Sequence, residues 1–212
     1  MKHLVIVAHP RDDSLTMCLA HAYVAELAAQ GHQHTLHDLY RLEFDPVLTN
    51  MEISQAQTRS GPPEVLQAQQ DIESADALTV IYPLWWLSMP AILKGYIDRV
   101  FARGFAFESR QGQVRGLLTG KKCVLVTLSG SPLPLLAGSG QWNAVKMLQD
   151  THVFRAVGFD LLEHLHFDHI EPGLPATAVQ EHVARVRRCA REHFGMSRSS
   201  AATAAQISSH HS

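Results

Sequence analysis

Cysteine is scarce in this chain of 212 residues: there are three, Cys18, Cys123 and Cys189. They are odd in number, far apart and set in apolar segments, which argues against a disulfide framework and for a reducing cytoplasm. Charge of one sign is lacking too. With 18 Lys and Arg against 20 Asp and Glu, the formal net charge is −2. That offers no basic field to nucleic acid and no polybasic patch to a membrane surface. No apolar run is long enough to span a bilayer. The run Leu4 to Ala8 is much shorter than that of a signal peptide and no cleavage pattern follows it. The expectation is a soluble, cytoplasmic protein. Familiar site signatures are missing as well. Neither G-x-x-x-x-G-K-S/T nor G-x-G-x-x-G follows the first apolar run, so P-loop and dinucleotide Rossmann readings lose their main support. The absence of G-x-S-x-G weakens a hydrolase reading, and there is no internal repeat.

What is present is a chain 46% hydrophobic, with room for a substantial core in one domain. Leu4 to Ala8 reads as a buried strand ended by His9-Pro10. Leu15, Leu19, Tyr23 and Leu27 then step down a helix that stops at Gly31. Residues 33–39 form a more polar strand, nearer an edge. The irregular stretch 40–63 is long for a simple connection, and a polar helix over 63–74 follows it. Further strands are expected at 77–81, 122–127 and 160–167. Helices are expected near 141–156 and from Val179 to Phe194. Residues 104–120 form a glycine-bearing excursion, and 128–140 a loop. This alternation argues for a parallel sheet with helices on both faces, an α/β domain over residues 1–195. Residues 196–212 have little to bury, so a mobile tail is expected.

The stretch from Tyr82 to Phe101 organises the rest. Pro83 has no N–H for a ladder. Ser88, before Met89-Pro90, is placed to cap a helix. Leu93, Ile97, Val100 and Phe101 share the apolar face of that helix, leaving Lys94, Asp98 and Arg99 to face water. Trp85 and Trp86 thus sit at the carboxyl end of a buried strand, the edge at which open α/β sheets bind ligands. The loops 9–16 and 127–140 should emerge beside them. Ser14, Thr16, nearby amides and the helix dipole can hold a phosphate, although ordinary capping by Asp13 or Ser14 is the commoner cause of such a pattern. The aromatic pair can equally be core or interface. It is the coincidence of three loops that favours a flat heterocycle carrying a phosphate.

Of the 14 histidines, His32/His34 and His164/His166 alternate as strand residues do, with His169 nearby. No cysteine lies near these in sequence, so solvated or sheet-edge histidines are expected and no metal site. Asp12 and Asp13 read as helix-start charges.

The run from Tyr82 to Phe101 resembles the signature of the flavodoxin-like NAD(P)H:quinone oxidoreductases, the DT-diaphorase family. His9-Pro10 with Ser14-Leu15-Thr16, Asp38-Leu-Tyr40 with Phe44-Asp-Pro46, and Gly104 to Phe107 resemble it too, over residues 1 to about 170. The resemblance implies a doubly wound sheet in the order 2-1-3-4-5, a tightly bound flavin and a homodimer with active sites at the subunit interface. By motif, His9, Ser14, Leu15 and Thr16 would hold the flavin's phosphate end, and Pro83, Leu84, Trp85 and Trp86 would wall its ring. Thr127, Leu128, Ser129 and Gly130 would contact the pyrimidine side, with Trp86 and Phe107 as substrate-pocket candidates. The long 40–75 segment resembles FAD-binding more than FMN-binding members. The implied activity is two-electron reduction of a quinone or similar acceptor by NAD(P)H in a ping-pong cycle, with no side-chain acid or base required. The alternatives are a regulatory flavoprotein subunit of a transport system and a one-electron flavodoxin-type carrier. The chain departs from the family in having no Tyr or His between Thr127 and Gly140, and Ser109 where a second tyrosine is usual.

Overall fold

The computed structural model describes residues 1–55 and 60–195; the expected mobile tail, 196–212, lies outside them. The strands are β1 (Lys2–Val7), β2 (Gln33–Asp38), β3 (Ala77–Pro83), β4 (Phe107–Arg110), β5 (Gln113–Gly116), β6 (Lys122–Leu128) and β7 (Asp160–Phe167). The helices are α1 (Leu15–Ala29), α2 (Asn50–Gln55), α3 (Pro63–Ser74), α4 (Ala91–Val100), α5 (Leu133–Gly138), α6 (Gln141–Lys146) and α7 (Ala176–Phe194), with a π-helical stretch Met147–Arg155 after α6. Five parallel strands form one sheet in the order β2-β1-β3-β6-β7. Counting only those five, this is the expected 2-1-3-4-5 doubly wound sheet.

Its central strands are apolar at nearly every position because helices cover both faces. Along β1 the side chains alternate: Leu4 and Ile6 join Val80, Tyr82, Leu93 and Phe154 on one face. Val5 and Val7 join Tyr23, Val126, Phe167 and Val186 on the other. The polar β2 lies at an edge, as its composition suggested.

Local geometry departs from expectation in four places. The excursion 104–120 contains an antiparallel hairpin, β4 with β5. Residues 133–138 are helical, not loop. The helix expected over 141–156 is α6 followed by the π-helix, in which the amide of Ala156 reaches back five residues to the Thr151 carbonyl. Ser88 does not cap α4; Pro90 takes that place, and the Ser88 backbone is bonded to Trp85 instead.

Arg99 is the largest correction. Its helical position pointed to water, yet it is 4% exposed. Nε donates to Glu52 (2.7 Å), Nη2 to Glu64 (2.8 Å) and Nη1 to the Asp45 carbonyl (2.6 Å). The cause is the 40–55 stretch, which folds over α4 and brings its own carboxylate. Lys94 and Asp98 do stay at the surface, paired four residues apart.

Candidate functional site

The carboxyl ends of β1, β3 and β6 stop side by side. The Ala8 amide donates to the Ile81 carbonyl (3.2 Å) and the Leu84 amide to the Leu128 carbonyl (2.7 Å). The three loops that leave these ends surround a cleft of about 230 Å³. The first contributes His9, Ser14, Leu15 and Thr16; the second Pro83, Leu84 and Trp85; the third Leu128, Ser129 and Gly130. Ile170, which the sequence reading passed over, closes the far side.

In the first loop, Ser14 is the N-cap of α1 and its Oγ accepts from the Met17 amide at 3.2 Å. Capping and anion binding are therefore compatible here. The amides of Leu15 and Thr16 belong to the first turn, have no intrahelical acceptor and lie at the positive end of the helix. A phosphate suits that position. The Arg11 amide donates to His9 Nδ1 at 3.1 Å, and burial lowers the pKa of this ring. His9 is thus a neutral wall rather than a cation. Asp12 and Asp13 stand ahead of α1 and pair with Arg41 and Arg11.

The second loop is strained. Trp85 and Ser88 exchange backbone hydrogen bonds across a two-residue turn, 3.1 and 3.0 Å. Both residues at its tip have positive φ, +53° at Trp86 and +57° at Leu87. Such turns ordinarily use glycine or asparagine. The turn turns Trp85 toward the cleft, 5.8 Å from the His9 ring. It leaves Trp86 99% exposed on the rim.

The third loop is backed by a chain of polar groups. Ser129 Oγ donates to the Ser131 carbonyl (2.8 Å) and lies 3.1 Å from His166 Nε2. His166 Nδ1 lies 2.8 Å from Thr127 Oγ1, which lies 2.8 Å from His164 Nε2. His164 Nδ1 is 2.6 Å from Asp150 Oδ1. The donors run one way: since Ser129 donates onward, it accepts from His166, which accepts from Thr127, which accepts from His164. The remaining proton stays within the Asp150–His164 pair. Burial, then the neighbouring His164, brings the His166 pKa down to about 4. Trp142 covers both imidazoles, with ring centres 4.9 and 4.6 Å away.

The sequence-predicted residues thus divide. Those of loops 9–16, 83–85 and 128–130 line one cleft. Thr127 is buried behind it, Trp86 is outside on the rim, and Phe107 stands apart in a groove with Phe101, Val114 and Val157. Sequence reasoning missed Asp150 and Trp142. It took His164 and His166 for solvated or sheet-edge residues; β7 is an edge strand, but these side chains are buried. Their alternation did place both on one face. The partner carboxylate lies on the π-helix, which no pattern in the sequence announced.

Residues 1–190 match a family described by its flavodoxin-like fold. A Haemophilus influenzae protein named as an NAD(P)H oxidoreductase is 38% identical over 123 residues, 58% of this chain and 61% of its own length. The ribosyldihydronicotinamide dehydrogenase (quinone) of Pongo abelii is 32% identical over 156 residues, 66% of this chain and 68% of its own. The solved structure of an NAD(P)H:quinone oxidoreductase from Methanothermobacter marburgensis superposes with a TM-score of 0.80 at 26% identity, covering 93% of this chain and 98% of the other. A cleft lined by three loops at the carboxyl edge of a 2-1-3-4-5 sheet agrees with these similarities. The chain belongs to the flavodoxin-like family that includes the NAD(P)H:quinone oxidoreductases.

Proposed function

We propose that this chain is a flavin-dependent NAD(P)H oxidoreductase that delivers two electrons to a quinone-like acceptor. One observation carries the reading: a single cleft joins an anion-binding helix start to a flat aromatic wall and a glycine-bearing loop. When bound, the flavin would supply the redox chemistry. The residues present fit such a group: amides of Leu15 and Thr16 for its phosphate, Trp85 and Leu84 for its ring, the backbone of Ser129 and Gly130 for its polar edge. The chain's own work is to orient, to exclude water and to hold charge at that edge, where preorganised amides act as an oxyanion hole does. The Asp150-to-Ser129 chain keeps the Ser129 hydroxyl aimed at Ser131, away from free rotation.

The finer assignments follow from the same reading. FAD, rather than FMN, is proposed from the 40–75 segment. NAD(P)H and the acceptor use the same place in turn, giving ping-pong kinetics. A homodimer would cover the rim, where Trp86 is exposed. Among the described residues no helix is long and apolar enough to cross a membrane. The test is the visible spectrum of the purified protein before and after anaerobic addition of NADPH, with chromatography of the extracted cofactor. A flavin spectrum that bleaches without a semiquinone band supports the proposal. A protein that stays colourless after incubation with FAD and FMN refutes it.

A further inference from the structure

The side chains of β7 divide between two faces. His164 and His166 turn toward the π-helix, whereas Glu163 turns, with Leu165 and Phe167, toward α7. On α7, Cys189 and His193 are four residues apart and so share the side that meets β7. His193 Nε2 lies 2.7 Å from Glu163 Oε2, and the buried Cys189 thiol lies beside them. One ligand atom from each of the three falls within 4.8 Å of the others. We propose that Glu163, Cys189 and His193 form a transition-metal site of the zinc class that clamps α7 to the edge strand, apart from the cofactor cleft.

The dimensions suit such an ion. Tetrahedral bond lengths of about 2.3 Å to sulfur and about 2.0–2.2 Å to nitrogen and oxygen separate the ligand atoms by about 3.4–3.6 Å. Reaching that spacing takes adjustments of about an ångström, within the reach of a glutamate and a histidine at the surface. The donor set selects against magnesium and calcium, which take oxygen, and for zinc or cobalt, which accept a mixed thiolate, imidazole and carboxylate shell. Cys189 is buried, while the His193 and Glu163 side chains are 25% and 34% exposed. The ion would therefore sit at the protein's edge, with an entry path and a fourth position open to water, as in three-ligand zinc sites. Charge balances: the divalent ion meets one carboxylate and one thiolate, and the thiol proton is released to solvent on binding. Arg191, on the same helix, does not oppose this, since Glu26 pairs with it at 2.9 Å.

The test titrates cobalt(II) into the full chain after dialysis against a chelator. Near one equivalent, a near-ultraviolet thiolate-to-cobalt band and intense visible d–d bands of tetrahedral cobalt should appear, and zinc should remove them. Both should survive Cys18→Ser, which deletes the exposed thiol, and vanish in Cys189→Ser and His193→Gln. Because Cys189→Ser can unfold the buried seam, His193→Gln, at the surface, keeps the test decisive; its melting temperature should lose the rise of several degrees that zinc gives the wild type. No thiolate band at stoichiometric cobalt, or a band that persists in His193→Gln, overturns the site and leaves only the His193–Glu163 pair beside a buried thiol.

Discussion

Replacing Trp86 with glycine should make the isolated chain more stable, although it deletes its largest side-chain type. The side chain is 99% exposed, so almost no burial is lost within one chain. Its φ of +53° costs an L-residue about 1–2 kcal/mol, which glycine recovers. Glycine's greater unfolded-state freedom returns roughly 0.5–1 kcal/mol of that gain. The expected net is stabilisation by about 0.5–1 kcal/mol, or a rise in Tm of about 1–4 °C for a domain of this size. Urea unfolding of the flavin-free protein at low concentration measures it, with Trp86→Asn as an intermediate case. Function should move the other way: the exposed indole belongs to the rim, so the KM for NADPH or acceptor should rise in the loaded protein. A flavin-free variant that is less stable at every protein concentration would refute the strain argument. A loss that grows with protein concentration would place Trp86 in a contact between copies.

Other perturbations test other parts of the structure. Arg99→Met leaves Glu52 buried without its partner and should cost about 3–5 kcal/mol; Arg99→Lys should rescue little, because the fork that reaches Glu52, Glu64 and Asp45 is lost. Urea midpoints decide both. His3 is 2% exposed with neither ring nitrogen hydrogen-bonded, and burial, then His32, brings its pKa down to about 4. The unfolded chain takes up that proton near pH 6.5 and the folded one resists it. Stability should therefore be complete above pH 6.5 and decline as pH falls toward 4. His3→Phe should flatten this decline and leave stability at pH 7.5 equal or higher; an unchanged pH profile would count against the argument. Gly95→Ala would set a Cβ 2.3 Å from Pro46, and the overpacking should cost about 1–3 kcal/mol, read as earlier proteolysis within 40–55. Thr127→Val removes the partner shared by His164 and His166 and should cost about 1–3 kcal/mol. It should also weaken flavin binding, measured by quenching of flavin fluorescence.

The sheet could be read from the chain because its strands are short apolar runs between turn signals, a pattern set by burial on both faces. The bounds 63–74 and 160–167 needed no tertiary information. Arg99 could not be read that way. Its helical position assigns it to water, and only the folding of a distant segment over α4, with Glu52 on it, makes burial affordable. The hairpin of β4 and β5 was hidden for a related reason: both strands are four residues long and none of their residues is fully buried, so burial imposes little apolar pattern on them. At the site, loops that begin where strands end were predictable, since the strand ends define the edge. The support behind them was not. Gln149 and Asp150 occupy a π-helix, whose wider turn presents them to Leu87 and His164, and a 3.6-residue period does not anticipate that placement.

Two departures from local preference flank the cleft, and their positions are complementary. On one side, Trp86 and Leu87 hold left-handed backbone that an ordinary loop would give to glycine. That turn is pinned from below, since Gln149 donates to the Leu87 carbonyl at 3.3 Å and also meets the Tyr82 hydroxyl. On the other side, Thr127, His164 and His166 bury polar atoms that an ordinary core would replace with apolar ones. That chain is anchored by Asp150, the neighbour of Gln149. Two consecutive residues of one π-helical turn therefore hold both walls, one through the second loop and one through the third. Strain and buried polarity persist only where surroundings over-determine them, and here the same element over-determines both. The π-helix is accordingly part of the site's architecture rather than an irregularity beside it. Shifting its register should loosen the aromatic wall and the polar edge together.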